Sequence, residues 1–290
     1  MQGILILLGL IAIGLFGGNK GVGNNGLFST GMTPEQKKTS IEIQITDTQN
    51  KIDELKKQVQ IEEEKKNASV YKGMITLSYV NKSNDPTQEY LSIRANNNID
   101  KKMVKVSGWT LKSLASGSVV SIPKGTYLFF TGIINPEEDI YLTSGETVYL
   151  VTGVSPVGIS FKVNKCSGYM QQFQTFTPYI NNRCPAPKNE NLSSIPQTVG
   201  NDVCFDYIDY LPTCRAVTET LPPELSYECK TFIQNKVNYS SCINTHKGDA
   251  DFTQKEWRVY LKRSDHIWKS SREAIVLYDE FGKVVDTLKY

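Results

Sequence analysis

Histidine is scarce in this sequence, because the 290 residues include only His246 and His266. A metal enzyme whose centre is built from several imidazoles is therefore excluded. An excess of one charge is lacking too, since 32 Lys and Arg face 30 Asp and Glu and leave a formal net charge of +2. A dedicated nucleic-acid binder carries surplus positive charge to neutralise phosphates, so the even balance argues against nucleic acid as a partner.

Closely spaced cysteine pairs are missing as well. Successive cysteines lie 18, 20, 10, 15 and 13 positions apart, whereas zinc sites use pairs about two to four residues apart. Neither a Gly-x-Ser-x-Gly elbow nor a phosphate-binding glycine loop occurs in the chain. We therefore expect no catalytic residue, no cofactor and no metal, and we predict that the protein is not an enzyme.

Acidic residues lie close to both histidines in the sequence: Asp249 and Asp251 near His246, and Asp265 beside His266. Proximity in sequence does not make a catalytic dyad, and we expect both histidines to be exposed loop residues. A further acidic group comprises Asp202, Asp206 and Asp209. It lacks the glycine-punctuated alternation of a calcium loop, so it is expected to be a solvated face.

The N-terminal segment carries no charged side chain over residues 1–19, and residues 3–16 are almost purely aliphatic. At about 1.5 Å per residue such a helix matches the apolar thickness of a bilayer. A cleaved signal peptide is the alternative, but no Ala-x-Ala site follows Phe16. Residues 1–19 are therefore predicted to be an uncleaved transmembrane anchor, followed by a glycine-rich linker at 20–32.

Residues 33–67 are predicted to form an amphipathic helix with Thr33 as N-cap and Pro34 at its first position. Apolar residues recur alternately four and three apart along it, at Ile41, Ile45, Thr48, Ile52, Leu55 and Val59. This heptad pattern is typical of a coiled coil. Two interpretations stay open: a solvated stalk helix lying against the following domain, or a short parallel coiled coil that dimerises the protein weakly through residues 41–59.

After residue 67 the apolar period changes from the helical value to two. Strands are predicted at residues 74–80, 90–93, 103–106, 127–130, 139–142, 147–151, 159–163, 257–261, 274–278 and 284–288. Strands this short and numerous, without intervening helices, indicate a mainly β fold: an antiparallel β-sandwich over residues 68–167 and 253–290.

Several of these strand residues resemble the lamin-tail domain, a sandwich found on nuclear lamins and on many bacterial exported proteins. The resemblance covers residues 89–96 (EYLSIRAN), 104–111 (VKVSGWTL), 122–130 (IPKGTYLFF) and the closing stretch 275–290. It implies an immunoglobulin-like sandwich whose structural positions are Tyr90, Ile93, Gly108, Trp109, Gly282 and Tyr290. No activity comes with it.

The stretch 168–252 departs from that family and interrupts the sandwich before its last strands. It carries five of the six cysteines, and the sixth lies just before it: Cys166, Cys184, Cys204, Cys214, Cys229 and Cys242. An even set behind an export signal predicts three disulfides, which places the chain after Lys20 outside the cytoplasm.

Two short helices are predicted in this cysteine-rich stretch, at residues 203–211 and 222–237. An antiparallel hairpin of these helices favours the pairs Cys214–Cys229, Cys204–Cys242 and Cys166–Cys184. Parallel packing would instead favour the crossed pattern with Cys204–Cys229 and Cys214–Cys242.

Taken together, the sequence predicts a single-pass membrane protein with an extracytoplasmic C-terminal domain. The expected function is structural or binding, through an unknown protein or envelope partner at the cell surface, with the cysteine-rich insert as contact surface. The alternatives are an accessory subunit of an exported, nuclease-like hydrolase and a surface module for nucleic acid. No separate catalytic domain has room in the chain, which argues against the first alternative, and the charge balance argues against the second.

Overall fold

A computed structural model describes residues 33–97, 99 and 103–290 of the chain. The predicted anchor (1–19) and linker (20–32) lie outside the described residues. Across the described ranges, no helix combines the length and the apolar character needed to cross a bilayer. The chain divides into two units at the boundary between Glu64 and Lys65.

The described part of the first unit is formed by helix α1 (Pro34–Asn67), whose last three residues lie past the boundary. Its start follows the sequence prediction, because Thr33 Oγ1 accepts a hydrogen bond from the Gln36 amide at 3.3 Å while Gln36 Oε1 accepts one from the Thr33 amide at 2.9 Å. This reciprocal pair satisfies two amides at the helix start. Along the heptad positions, Ile41, Ile45 and Leu55 are exposed.

The second unit is mainly β, as predicted. In chain order its strands are β1 (Ile75–Asn81), β2 (Tyr90–Ala95), β3 (Val104–Lys105), β4 (Thr110–Ser113), β5 (Val119–Ser121), β6 (Tyr141–Leu142), β7 (Thr147–Val151), β8 (Phe161–Asn164), β9 (Thr253–Tyr260), β10 (Ala274–Tyr278) and β11 (Val284–Lys289). They form a five-stranded sheet in the order β1-β2-β7-β9-β8, a four-stranded sheet in the order β11-β10-β4-β5, and the pair β3-β6.

One buried apolar cluster draws side chains from all three sheets. Trp257 comes from the five-stranded sheet, Leu111 and Leu277 from the four-stranded sheet, and Leu142 from the strand pair. Burying apolar surface of this kind contributes about 25 cal/mol per Å². This cluster is therefore the core of the β region.

Several details of the sheets differ from the prediction, beginning with β4 and β5, which none of the predicted strands covers. Residues 127–130 form no strand, because Thr126 makes only an isolated bridge to Phe161 and the chain then turns Phe129 into a second apolar cluster. Strand β9 pairs in parallel with β7, although it is antiparallel to β8. The parallel pair arises because the chain leaves the sheet after β8 and returns between β7 and β8.

The cysteine-rich insert contains three α-helices rather than the predicted two: α2 (Asp202–Asp209), α3 (Tyr227–Lys236) and α4 (Tyr239–His246). Short 3₁₀ turns occur at Ser167–Gln172, Pro187–Asn189 and Val199–Asn201. Helix α4 starts anew because the Asn238 side chain accepts a hydrogen bond from the Ser241 amide at 2.9 Å and caps it.

The prediction that the six cysteines form three disulfides is confirmed, but the predicted pairing is wrong. The bonds are Cys166–Cys242, Cys184–Cys214 and Cys204–Cys229. Cys204 and Cys229 each lie in the first turn of their helix, so their bond joins the N-terminal ends of α2 and α3. An antiparallel hairpin would hold those two ends apart, which rules out the predicted hairpin.

Candidate interaction surface

The lamin-tail resemblance assigns structural positions to six residues, which we call the resemblance residues. The structure places two of them deep in the sheet core. Ile93 and Trp109 are completely buried there. The Trp109 indole nitrogen still finds a partner, since it donates a hydrogen bond to Glu280 Oε2 at 2.6 Å. Tyr71 packs against the same indole with a ring-centroid distance of 5.2 Å. These contacts serve packing and leave no atom of Trp109 for a ligand.

The other four resemblance residues lie nearer the surface. Gly108 and Gly282 are exposed and have φ angles of 86° and 70°, a conformation that favours glycine in turns. Tyr90 and Tyr290 are half-buried. The Tyr90 ring contacts Tyr149 edge-on at 5.7 Å, and the Tyr290 hydroxyl donates a hydrogen bond to the Lys269 carbonyl at 3.1 Å. Both tyrosines therefore contact other parts of the β region, and both glycines lie at positions with positive φ.

The insert packs on the outer side of the five-stranded sheet and forms a second buried apolar cluster with it. Each of the six cysteines lies in this cluster, and none of them is a free thiol. Sheet residues Phe161 and Tyr260 belong to the same cluster, and the Phe161 ring contacts Phe176 of the insert at 5.8 Å. Because the disulfides tie the insert to itself and to the end of β8, it is a fixed part of the domain.

A groove of about 600 Å³ opens where the insert meets the loops of the sheet; we call it the insert groove. Its lining includes Phe129, Val157, Tyr169, Met170, Phe173 and Tyr239. Tyr239 bridges the two sides by donating a hydrogen bond to the Phe129 carbonyl at 2.9 Å. The Phe173 side chain remains 64% exposed at the edge. Mostly apolar walls of this kind favour an apolar ligand surface.

The phenol groups of the insert groove stay protonated near neutral pH. Burial, and secondly the charge of Glu190, raise the pKa of Tyr169 to about 12. Burial also raises the pKa of Tyr239. Both phenols therefore act as neutral hydrogen-bonding groups, and neither is a candidate base.

Next to the insert groove, residues 130–135 form a turn that presents two isoleucines to solvent; we call it the isoleucine turn. Ile133 is 62% exposed and Ile134 is 97% exposed. Asn135 fixes the turn: its side chain accepts a hydrogen bond from the Phe130 amide at 2.8 Å and donates to the carbonyls of Phe130 and Ile133 at 2.9 and 3.2 Å. The exposed isoleucines therefore sit on a turn whose backbone is held by its own side chain.

Comparison of the chain with protein-family models, with curated proteins and with solved structures finds no match in any of the three. The chemistry of the surface therefore has to be inferred from this chain alone. Contiguous exposed apolar surface beside a groove is typical of a site that binds another macromolecule.

The expectation that both histidines lie exposed in loops is wrong for His246. It ends helix α4, its side chain is only 17% exposed, and both ring nitrogens contact carboxylates. His266 is more exposed and contacts Glu89 at 3.1 Å. The expected solvated face does occur, since Asp202, Asp206 and Asp209 are all exposed on α2. Within the described residues, no group of acidic, histidine or cysteine side chains is arranged to hold a metal ion.

Most of this surface could not be predicted from local sequence patterns. The insert groove combines residues from segments more than a hundred positions apart, such as Phe129 and Tyr239. The isoleucine turn did carry a signal, because an Ile-Ile pair directly before Asn135-Pro136 places apolar residues where a turn is expected.

Proposed function

We propose that the protein is a membrane-anchored, extracytoplasmic binding protein that holds an apolar segment of a partner protein on the insert groove and the isoleucine turn. The observation that carries this proposal is the fixed exposure of Ile133 and Ile134 beside the groove. Exposing large apolar side chains is unfavourable in water unless a partner covers them. A turn that is already ordered also loses less conformational entropy on binding.

Support for the extracytoplasmic location comes from the three disulfides, because such bonds persist in oxidising compartments. The anchor at residues 1–19 remains a prediction from the sequence, and its proposed orientation, with the C-terminal domain outside the cytoplasm, rests on the disulfides. In this proposal the protein has no catalytic activity of its own. Its partner is a protein of the envelope or the cell surface rather than nucleic acid.

The fold class within this proposal is a lamin-tail-like, immunoglobulin-like sandwich. The shared apolar cluster of the two larger sheets supports it, as does the burial of Trp109 at the place that the resemblance assigns to a core aromatic residue. In this arrangement the sandwich is a scaffold, and the insert groove lies between the loops of the sandwich and the insert. Functional surfaces commonly lie on such insertions, because a rigid scaffold fixes them in place.

The proposal can be tested by placing a photo-crosslinking side chain at Phe173 in the full-length protein, in intact cells. We expect one defined crosslinked protein species, which disappears when Ile133→Asp and Ile134→Asp are added. The matched control places the same crosslinker at Leu114, which is also well exposed but directly follows β4 of the four-stranded sheet. Identical products from both positions, or a product that survives the double substitution, would contradict the proposal.

A further inference from the structure

His246 holds together two parts of the insert that are distant in sequence. Its Nε2 atom lies 2.8 Å from Glu190 Oε1, and its Nδ1 atom lies 2.8 Å from Asp249 Oδ2. Lys165, just after β8, contacts Asp249 at 2.9 Å and also contacts Asp251. We call the group formed by His246, Glu190, Asp249, Lys165 and Asp251 the His246 clasp.

The geometry of the clasp requires a charged imidazole. A neutral imidazole carries one N–H and one bare nitrogen, so it can donate to only one of its two carboxylate neighbours. The other carboxylate would then face a lone pair at 2.8 Å. The imidazolium ion donates from both nitrogens, and each resulting hydrogen bond is strengthened by charge. The observed arrangement is therefore that of protonated His246.

The surrounding charges favour that same state. Two cations, Lys165 and His246, face three carboxylates in the clasp, so loss of the imidazole proton leaves Lys165 alone against all three. Tyr169 of the 3₁₀ turn Ser167–Gln172 also lies close enough to Glu190 for the charge of that carboxylate to raise its pKa, so this phenol is neutral at ordinary pH. The position at the C-terminal end of α4 adds the negative end of the helix dipole.

These contacts act on the pKa of His246 in opposite directions. Burial by itself lowers it, but the hydrogen bonds and charges of Glu190 and Asp249 outweigh burial and raise the pKa above its ordinary value. Because the pKa of His246 is raised in the folded state, the clasp makes its full contribution to the stability of the fold when the pH is below the unfolded-state pKa. Its contribution is lost as the pH rises through the folded-state pKa.

We propose that protonation of His246 fastens residues 187–190 to the end of α4, so that this part of the insert is closed at acidic pH and loosened at alkaline pH. The disulfides at Cys184 and Cys204 hold both ends of the segment that carries Glu190, and Ile195 within it is buried. Release of the clasp is therefore a local loosening. The rest of the domain stays folded.

The test is an NMR titration of the full-length protein without a histidine tag. Because the chain has only two histidines, His266→Gln leaves His246 as the single titrating imidazole. In that variant we expect the imidazole to titrate above about 6.5, the value of an unstructured histidine. The amide resonances of residues 188–192 should shift with the same midpoint.

Glu190→Gln, combined with His266→Gln, removes one carboxylate and keeps a side chain of the same shape. We expect the His246 midpoint to fall toward about 6.5 in this variant, and the amide shifts of residues 188–192 to lose their link to it. The matched control is Glu219→Gln, an exposed carboxylate away from the clasp, which should leave the midpoint unchanged. A midpoint at or below that of free histidine in the parent would overturn the proposal, as would a Glu190→Gln midpoint equal to the parent's.

Discussion

At the scale of single residues, Trp109 shows how one side chain can carry much of the stability of a small β region. It is completely buried, and the one polar atom of its side chain donates a hydrogen bond to Glu280, which is itself exposed. We expect Trp109→Ala to lower the free energy of unfolding by about 3–5 kcal/mol, because a large apolar side chain is lost and a cavity remains.

Chemical denaturation of the variant measures this loss. Glu280→Gln serves as control, because it keeps an oxygen that can accept the indole hydrogen bond, and it should cost at most about 1.5 kcal/mol. A Trp109→Ala variant as stable as the parent would show that the indole is not a core residue.

Glu273 gives a second prediction at this scale, through its response to acid. Burial by itself raises the pKa of this carboxyl, but hydrogen bonds from the Lys269, Ala115 and Ala274 amides and from Ser113 Oγ outweigh it and lower the pKa. Because the pKa of Glu273 is lowered in the folded state, its carboxylate stabilises the fold at pH values above the unfolded-state pKa. That contribution is lost as the pH falls through the folded-state pKa.

We therefore expect the melting temperature to fall on acidification below about pH 4.3, the ordinary value for glutamate. The fall should be smaller in Glu273→Gln, which has no charge to lose. Glu219→Gln, at an exposed site, should show the parent's full dependence. An equal acid response in Glu273→Gln and in the parent would show that this carboxylate does not contribute.

Gly168 is fixed by the disulfide packed against it. A Cβ atom added to Gly168 would lie 2.9 Å from the Cβ atom of Cys214 and closer still to the Cys214 sulfur. We expect Gly168→Ala to destabilise the protein by roughly 1–3 kcal/mol, because the backbone must shift to make room. Gly200→Ala is the matched control, since nothing lies within 4 Å of a Cβ there. Equal melting temperatures for the two variants would contradict the packing described here.

At the scale of elements, helix α1 carries an exposed heptad face. We expect the full-length protein in detergent to form a weak dimer through Ile45, Ile52 and Leu55, because an apolar face of this kind is stabilised by pairing with a second helix. Ile52→Lys with Leu55→Lys should abolish the dimer in sedimentation experiments.

The matched control for the helix is Ile43→Lys with Ile61→Lys, which adds the same charges to exposed positions outside the heptad face. That pair should leave association intact. If the parent sediments as a monomer at high concentration, α1 is a stalk, and the alternative interpretation of the sequence is correct.

The elements also show what local sequence patterns can and cannot predict. Alternation of apolar residues predicts β2, β7 and β10 closely, because one face of each strand is buried in the core. The pattern fails at residues 127–130, where Phe129 is buried against Phe161 and Tyr239 instead of in a ladder. An apolar run cannot tell these two forms of burial apart.

Disulfide pairing lies beyond such patterns, because it depends on where the helices of the insert lie in space. One disulfide joins the N-terminal turns of α2 and α3. Another joins Cys184 to Cys214, which lies in the loop that follows α2. Nothing within either helix specifies that arrangement. The His246 clasp is similar, since Asp249 is close in sequence but Glu190 lies 56 positions away.

At the scale of the whole molecule, the β region is a packed scaffold, and the proposed binding surface forms where its loops meet the insert. Composition and motifs could predict the mainly β class and the three disulfides, because these follow from periodicity and from cysteine number. The insert groove could not be predicted in this way, since it forms only when residues 129–132, 156–157 and 238–240 meet. The function proposed here depends on that meeting.

The central claim is that the isoleucine turn and the insert groove bind a partner, and native electrophoresis of membranes solubilised in mild detergent tests it most directly. We predict that the parent and a Leu114→Asp control migrate in a complex larger than the protein's own dimer. The folded Ile133→Asp, Ile134→Asp variant should run at the position of the dimer or the monomer. A double variant that remains in the larger complex would contradict the claim.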